Sequence, residues 1–213
     1  MKVSVMCRPL FVLVLILLCT ACMPSIPHSV DQSSAALMQP PAADKATVVF
    51  VGLKNWQFAL YDSASIVGVT GDRECAVAKV SQGKHLFSSF FRKTPLMDGR
   101  NRYSFIDTEL AQGKIYYILV RPYIIPFAGV FSDLEPIREK NDPNGYWMKL
   151  PAWLSDCKVT VMTDETIAWS REMYADNASN REKDHADWLK DEERPKKTIF
   201  PEDGVTMPVA PKH

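Results

Sequence analysis

The sequence predicts a mainly β protein, a small antiparallel β-sandwich of the immunoglobulin or prealbumin type with a C-terminal α-helical extension. Short runs rich in Val, Ile, Phe and Tyr recur along residues 45–137, among them ATVVFVGL, KHLFSSFF and KIYYILV. Turn residues separate the runs, as at Gln82-Gly83 and Gln112-Gly113. A sheet of βαβ units would need helical stretches between its strands, so this spacing favours antiparallel pairing.

Residues 1–21 have the composition of an export signal peptide. Lys2 and Arg8 form a short basic region, and a strongly apolar run follows at 10–18. About nine apolar residues are far fewer than the roughly 20 that a membrane-spanning helix needs, so a cleaved leader is favoured over a retained anchor.

Thr20-Ala21-Cys22 resembles the lipobox of bacterial lipoproteins, in which a cysteine after a small residue receives lipid through its sulfur. Cys19 departs from that motif, which usually has leucine three residues before the modified cysteine. We predict that Cys22 is lipidated, and an ordinary cleaved secretory peptide is the alternative. Met23 follows in place of an aspartate, so the resemblance implies an outer-membrane anchor that faces the periplasm.

The predicted mature chain first forms a flexible tether at 22–44. This segment is rich in Pro, Ser, Ala and Gln and has no apolar period. As a random coil of about 22 residues it would hold the fold roughly 25 Å from the lipid.

Three segments of the predicted sandwich carry a family resemblance: SIVGV at 65–69, AKVSQGKH at 78–85 and AQGKIYY at 111–117. They resemble recurring pieces of PEGA-type and related lipoprotein domains. Gln82 stands where that family often has proline, and Gln112 interrupts its Ala-Gly pair. The resemblance covers 45–137 and implies a small β-sandwich on the envelope surface without known catalytic residues.

An apolar stretch at 124–131 follows the last clear strand. It is interpreted either as a loop that contacts lipid or a partner, or as a buried hairpin or edge strand. Residues 138–162 are predicted as a linker that wraps back over the sandwich, since Trp147 and Trp153 are unfavourable in water.

A single helix is predicted over 163–193, with acidic residues early and Lys190 near its end. Its apolar stripe is thin and includes Trp169, Trp188 and Leu189. This stripe could pack on the sandwich, or it could contact an envelope protein partner. Residues 194–213 are predicted as a loose tail.

Cys75 and Cys157 are the two cysteines left for pairing once the leader is removed and Cys22 is acylated. An oxidising envelope would favour a disulfide between them. Pairing also requires Cα atoms within about 7 Å, so the sequence leaves both states open.

The charged residues bear on two questions, the class of partner and a candidate surface. After the leader, 23 basic and 25 acidic residues remain, a net charge of −2, which does not indicate a nucleic-acid-binding protein. Four basic residues around one turn could face anionic headgroups, or they could form an ordinary solvated hairpin tip: Arg92, Lys93, Arg100 and Arg102.

Catalytic and metal-binding signatures are missing from the sequence. The histidines show no metal-ligand spacing, and no nucleophile-elbow, zincin, Walker or Rossmann motif occurs. We therefore expect a membrane-anchored, non-enzymatic envelope lipoprotein without a cofactor or metal, serving as a binding or structural module. The alternative is a hydrolase-like envelope enzyme, which a pocket joining His85 or His185 to an acid and a nucleophile would favour.

Overall fold

The computed structural model of the chain describes residues 25–31, 34–53, 56–91, 102–125 and 129–211. Within these ranges the chain is mainly β. Its strands are β1 (Ser29–Asp31), β2 (Ala46–Gly52), β3 (Phe58–Asp62), β4 (Ser65–Thr70), β5 (Glu74–Val80), β6 (Gly83–Phe91), β7 (Arg102–Leu110), β8 (Ile115–Ile125), β9 (Gly129–Ile137) and β10 (Lys158–Val161). Its helices are α1 (Tyr146–Ser155), α2 (Asp164–Asp176), α3 (Ala178–Trp188) and α4 (Arg194–Lys197), with 3-10 turns at Ser34–Met38 and Pro201–Asp203.

The strands form one six-stranded sheet, in the order β1-β10-β5-β2-β8-β9, and one four-stranded sheet, in the order β4-β3-β6-β7. The four-stranded sheet is antiparallel throughout. The six-stranded sheet is mixed, because β2 pairs parallel with β8 and β5 pairs parallel with β10. The prediction of antiparallel pairing is therefore wrong for these two pairs. The long chain segments between the paired strands permit the parallel direction.

The largest hydrophobic core contains side chains from both sheets. Phe50 of the six-stranded sheet meets Phe87 of the four-stranded sheet edge to face, with ring centroids 5.4 Å apart. Leu60 and Ile118 are completely buried in the same cluster. Each fully buried side chain of this size stabilises the fold by about 1.5–3 kcal/mol. The core therefore joins the two sheets.

Helices cover the other face of each sheet. Leu150 and Leu154 of α1 are fully buried against the six-stranded sheet. β8 is consequently covered on both faces, which explains its unbroken apolar run from Ile115 to Val120. The predicted linker at 138–162 thus contains a packed helix, α1, and also a sheet strand, β10.

α2 and α3 occupy the region of the single helix predicted at 163–193. The prediction is wrong in its continuity, since the helix breaks at Asn177 and α3 ends at Trp188. Asn177 has a non-helical φ of −107° and ψ of 17°, and its side-chain amide donates to the Met173 carbonyl. Asparagine side chains compete in this way with the backbone hydrogen bonds of a helix.

The predicted tether at 22–44 is wrong for the described residues of that range. Ile26 is 4% exposed and Leu37 is 3% exposed, and β1 pairs with β10 at the sheet edge. Two isolated apolar side chains fix the segment to the fold, although its composition is typical of a linker.

The predicted loose tail at 194–213 is wrong for residues up to 211. Ile199 is buried and forms a β-bridge with Thr108, while Val205 forms another with Ile115. The tail lacks apolar periodicity, and its position depends on these tertiary contacts.

Candidate functional site

An apolar hairpin projects from one end of the sheets. β8 lies in register with β2, so that Val120 is opposite Gly52, the last residue of β2. β8 then continues to Ile125, and β9 pairs with it along the whole extension. Five more residues of strand reach roughly 16 Å past the end of β2.

The outer part of this hairpin exposes three large apolar side chains, which we call the apolar tip: Tyr123, Ile124 and Ile125. Their exposed fractions are 38%, 63% and 43%. The Tyr123 ring stacks on Phe131 of β9 at 5.4 Å, and the Arg102 guanidinium lies 5.2 Å from the Phe131 centroid. The base of the tip is thus held by packed rings, and its two isoleucines extend into solvent.

The N-terminal arm, residues 25–31, enters the fold at the same end. The Ile26 N–H donates to Gln57 Oε1 at 2.8 Å. Gln57 belongs to the connection that leaves β2 after Gly52, the residue opposite Val120 of β8. Thr166 Oγ1 donates to the Pro27 carbonyl at 2.6 Å, so α2 also holds the arm.

His28 fixes the arm to β5. Its Nδ1 lies 2.8 Å from the Ile26 carbonyl oxygen, and its Nε2 lies 3.4 Å from Glu74 Oε2. The second contact is an ion pair when His28 is protonated. Glu74 raises the pKa of His28 above its ordinary value of 6.5, although burial acts in the opposite direction.

This ion pair predicts a pH-dependent step in stability. A raised folded-state pKa means that His28 contributes stability that is fully present below pH 6.5 and is lost as the pH rises through the folded value. We expect urea unfolding midpoints of the wild type to fall across that window and those of His28→Gln to lack this step. His185→Gln is the matched control and should retain it. A step that survives in His28→Gln would assign the pH dependence to another group.

Cys75 and Cys157 form a disulfide with their Cα atoms 5.8 Å apart. Both residues are buried, and the bond joins β5 to the segment between α1 and β10. β10 pairs with β5 beside the bond, at Val159 and Cys75, and β1 pairs with β10. The disulfide therefore secures the strands on which the N-terminal arm lies.

The two tryptophans predicted to contact a partner pack on their own fold. Trp169 lies 6.4 Å from the Phe90 ring, and Trp188 lies 5.7 Å from the Phe105 ring. Both indoles are half-buried, whereas Leu189 is 49% exposed. Of these three predicted contact residues, Leu189 has the most exposed side chain.

The predicted basic surface is only partly described. Arg92, Lys93 and Arg100 lie outside the described residues, as does the predicted lipidation site Cys22. Arg102 Nη1 donates to Asp184 Oδ1 at 3.2 Å, so this arginine participates in packing α3 on the four-stranded sheet.

His85 and His185, the two histidines on which the enzyme alternative depends, have different surroundings among the described residues. His85 Nδ1 lies 2.7 Å from Asp62 Oδ2, and Nε2 lies 3.0 Å from the Ser81 carbonyl oxygen. Both ring nitrogens are thus occupied by the protein. His185 lines a depression of about 230 Å³ together with Ser88, but no hydrogen bond joins these two described side chains.

The surroundings of His185 are aromatic. Its ring lies 5.1 Å from Phe105 and 5.5 Å from Trp188, measured between centroids. Burial raises the pKa of the neighbouring Tyr103 to about 12, so this phenol stays protonated at neutral pH. Such a cluster packs α3 on the sheet.

Among the described residues, no three His, Cys, Asp or Glu side chains converge as a metal-binding group. In the same part of the chain, no helix combines the length and the apolar character needed to cross a membrane.

Comparison with known proteins gives no family assignment. No model of a protein family matches the chain, and no curated protein is significantly similar to it. The resemblance to PEGA-type lipoprotein domains therefore stays a prediction from the sequence.

Proposed function

We propose that the chain is a lipid-anchored lipoprotein of the bacterial cell envelope that works as a non-catalytic binding or structural module. The disulfide between Cys75 and Cys157 carries this proposal. Structural disulfides persist in exported proteins and are rare in the reducing cytosol. The bond therefore agrees with the export leader and with the lipobox ending at Cys22.

The fold of this module is, in the proposal, a β-sandwich of the immunoglobulin or prealbumin type. Support comes from contacts between the sheets at both sides of the shared core. Ser89 Oγ and Ser132 Oγ lie 2.6 Å apart on one side. On the other side, Gly68 of β4 leaves no room for a side chain beside Ala76 of β5. Both long sides of the two sheets thus approach each other, as in a sandwich.

A module is favoured over the hydrolase-like alternative by the surroundings of the two histidines. The ring nitrogens of His85 are both occupied, and His185 lies between aromatic rings. An enzyme of the serine-histidine type would need a hydrogen bond between a base and a nucleophile. The envelope partner and the position in the outer membrane, facing the periplasm, belong to the same proposal, and the lipobox with Met23 supports the membrane assignment.

Fractionation of a Gram-negative host that expresses the full chain tests the anchor. The wild type should stay in the outer-membrane fraction after a carbonate wash, because its acyl chains remain in the bilayer. Cys22→Ala should lose the acyl chains and be released by the same wash. Cys19→Ala is the matched control and should stay bound. Equal retention of wild type and Cys22→Ala would reject lipidation at this residue.

A further inference from the structure

We infer that the apolar tip, Tyr123, Ile124 and Ile125, inserts into the same bilayer that holds the Cys22 lipid. The protein would then contact the membrane at two points and would not swing on a tether. This inference rests on the proposed function, because it takes the lipid at Cys22 as given.

The chemistry of the hairpin suits a lipid interface. Ile124 is 63% exposed and Ile125 is 43% exposed, although both are strongly apolar. Residues 122–132 contain no charged side chain, and the Arg121–Asp133 pair marks the point where charge begins. Tyr123 adds an aromatic ring with a polar hydroxyl, which favours the boundary between headgroups and acyl chains. The part of the hairpin beyond Phe131, whose ring contacts Arg102, can enter a bilayer without burying an ion.

The position of the N-terminal arm is the reason for inferring that the apolar tip contacts the bilayer. Only Met23 and Pro24 separate Cys22 from Ser25, the first described residue. Three residue steps span at most about 11 Å, so a lipid at Cys22 would keep Ser25 close to the membrane surface. Ile26 is buried in the fold and donates to Gln57, which prevents the arm from serving as a longer spacer.

The hairpin is long enough to reach a membrane that holds the Cys22 lipid. The hairpin projects roughly 16 Å beyond the end of β2, at the end of the sheets where the arm enters. The arm and the hairpin belong to opposite edges of the six-stranded sheet, since β1 and β9 are its edge strands, so one bilayer would contact them at separate points. Interfacial segments bury their apolar face about 5–10 Å deep, which lies within the reach of the tip. Anchoring at Cys22 therefore brings the tip to the bilayer surface.

Depth measurements on the lipidated protein test this geometry. Ile124→Cys is labelled with an environment-sensitive fluorophore and reconstituted into vesicles of phosphatidylethanolamine and phosphatidylglycerol. The label is selective, because Cys75 and Cys157 are paired and buried. Met207→Cys is the matched control, since Met207 is 70% exposed and lies two residues from Val205, which pairs with the opposite end of β8.

We expect the label at 124 to shift to the blue, to brighten several-fold and to be quenched by spin-labelled lipid, while the label at 207 stays in water. Ile125→Cys gives an independent second position and should behave like 124. Co-sedimentation with the vesicles reports the Cys22 anchor separately. A protein that co-sediments while both tip labels stay in water overturns the insertion and leaves the anchor intact.

Other occupants give distinct results. If the tip label is shielded in intact envelopes but exposed on pure vesicles, a protein partner and not the bilayer covers the tip. If the fluorescence shift depends on protein concentration in the absence of vesicles, a second copy of the chain covers it. A mature protein without lipid at Cys22 would overturn the proposed function and this inference together.

Discussion

Replacing both Cys75 and Cys157 by alanine is expected to lower the free energy of unfolding by about 4–5 kcal/mol. The disulfide connects residues 82 positions apart, and in the chain-entropy model a loop of this length constrains the unfolded state by that amount. The bond also joins β5 to the segment between α1 and β10. Its loss therefore loosens the edge strands together with the N-terminal arm.

Urea unfolding with and without reductant measures this effect. The reduced wild type should unfold at the midpoint of the double alanine variant, and reductant should not change the variant itself. Equal midpoints for the oxidised wild type and the variant would mean that the disulfide contributes nothing to equilibrium stability.

Asp184→Ala is expected to lower the free energy of unfolding by roughly 2–3 kcal/mol. The Asp184 side chain is 8% exposed and accepts from the Tyr103 N–H at 3.0 Å and from Arg102 Nη1 at 3.2 Å. Tyr103 belongs to β7, the last strand of the four-stranded sheet, and among the described residues the carboxylate is the hydrogen-bond partner of this backbone donor. Alanine would leave this buried N–H unsatisfied and Arg102 without its counter-ion.

Two variants of the same helix separate this effect from a general loss of charge. Asp187→Ala removes a carboxylate that is 59% exposed and lies 3.6 Å from the solvated Lys190 ammonium, so its effect should be close to zero. Asp184→Asn keeps an acceptor for the Tyr103 N–H and should fall between wild type and alanine. Thermal or urea unfolding checks the order, and an Asp187→Ala loss equal to that of Asp184→Ala would contradict it.

The strand content of 45–137 could be predicted because each strand is a short, local run of β-branched and aromatic residues. β8 is the best case, since its unbroken apolar pattern predicts burial on both faces, and both faces are covered. The parallel pairing of β2 with β8 could not be predicted in the same way. It depends on which distant strands meet, and local patterns contain no such information.

The termini show a different limit. Ile26 lies in a segment rich in proline, and Ile199 lies beside Phe200 after a charged segment, so no period marks either as a core residue. Their burial depends on sites that exist only in the folded protein. A segment with linker composition can thus be fixed by one or two side chains.

The sequence identified the apolar and aromatic residues of the candidate surfaces, but it did not predict which of them are exposed in the fold. Trp188 was predicted as a possible partner contact, and in the fold it packs on Phe105 of the same chain. The apolar stretch at 124–131 had two interpretations; it contributes to the β8–β9 hairpin, with β9 as the edge strand and Val130 buried, while Ile124 and Ile125 are exposed. Exposure is a property of tertiary structure, so the sequence alone could not decide between them.

The proposal that a lipid on Cys22 anchors this protein is tested most directly by the intact mass of the mature wild-type protein extracted from membranes. We predict a chain that begins at Cys22 and carries a diacylglyceryl group, with fragmentation placing the added mass on that residue. An unmodified N-terminus at any other position would contradict lipid anchoring.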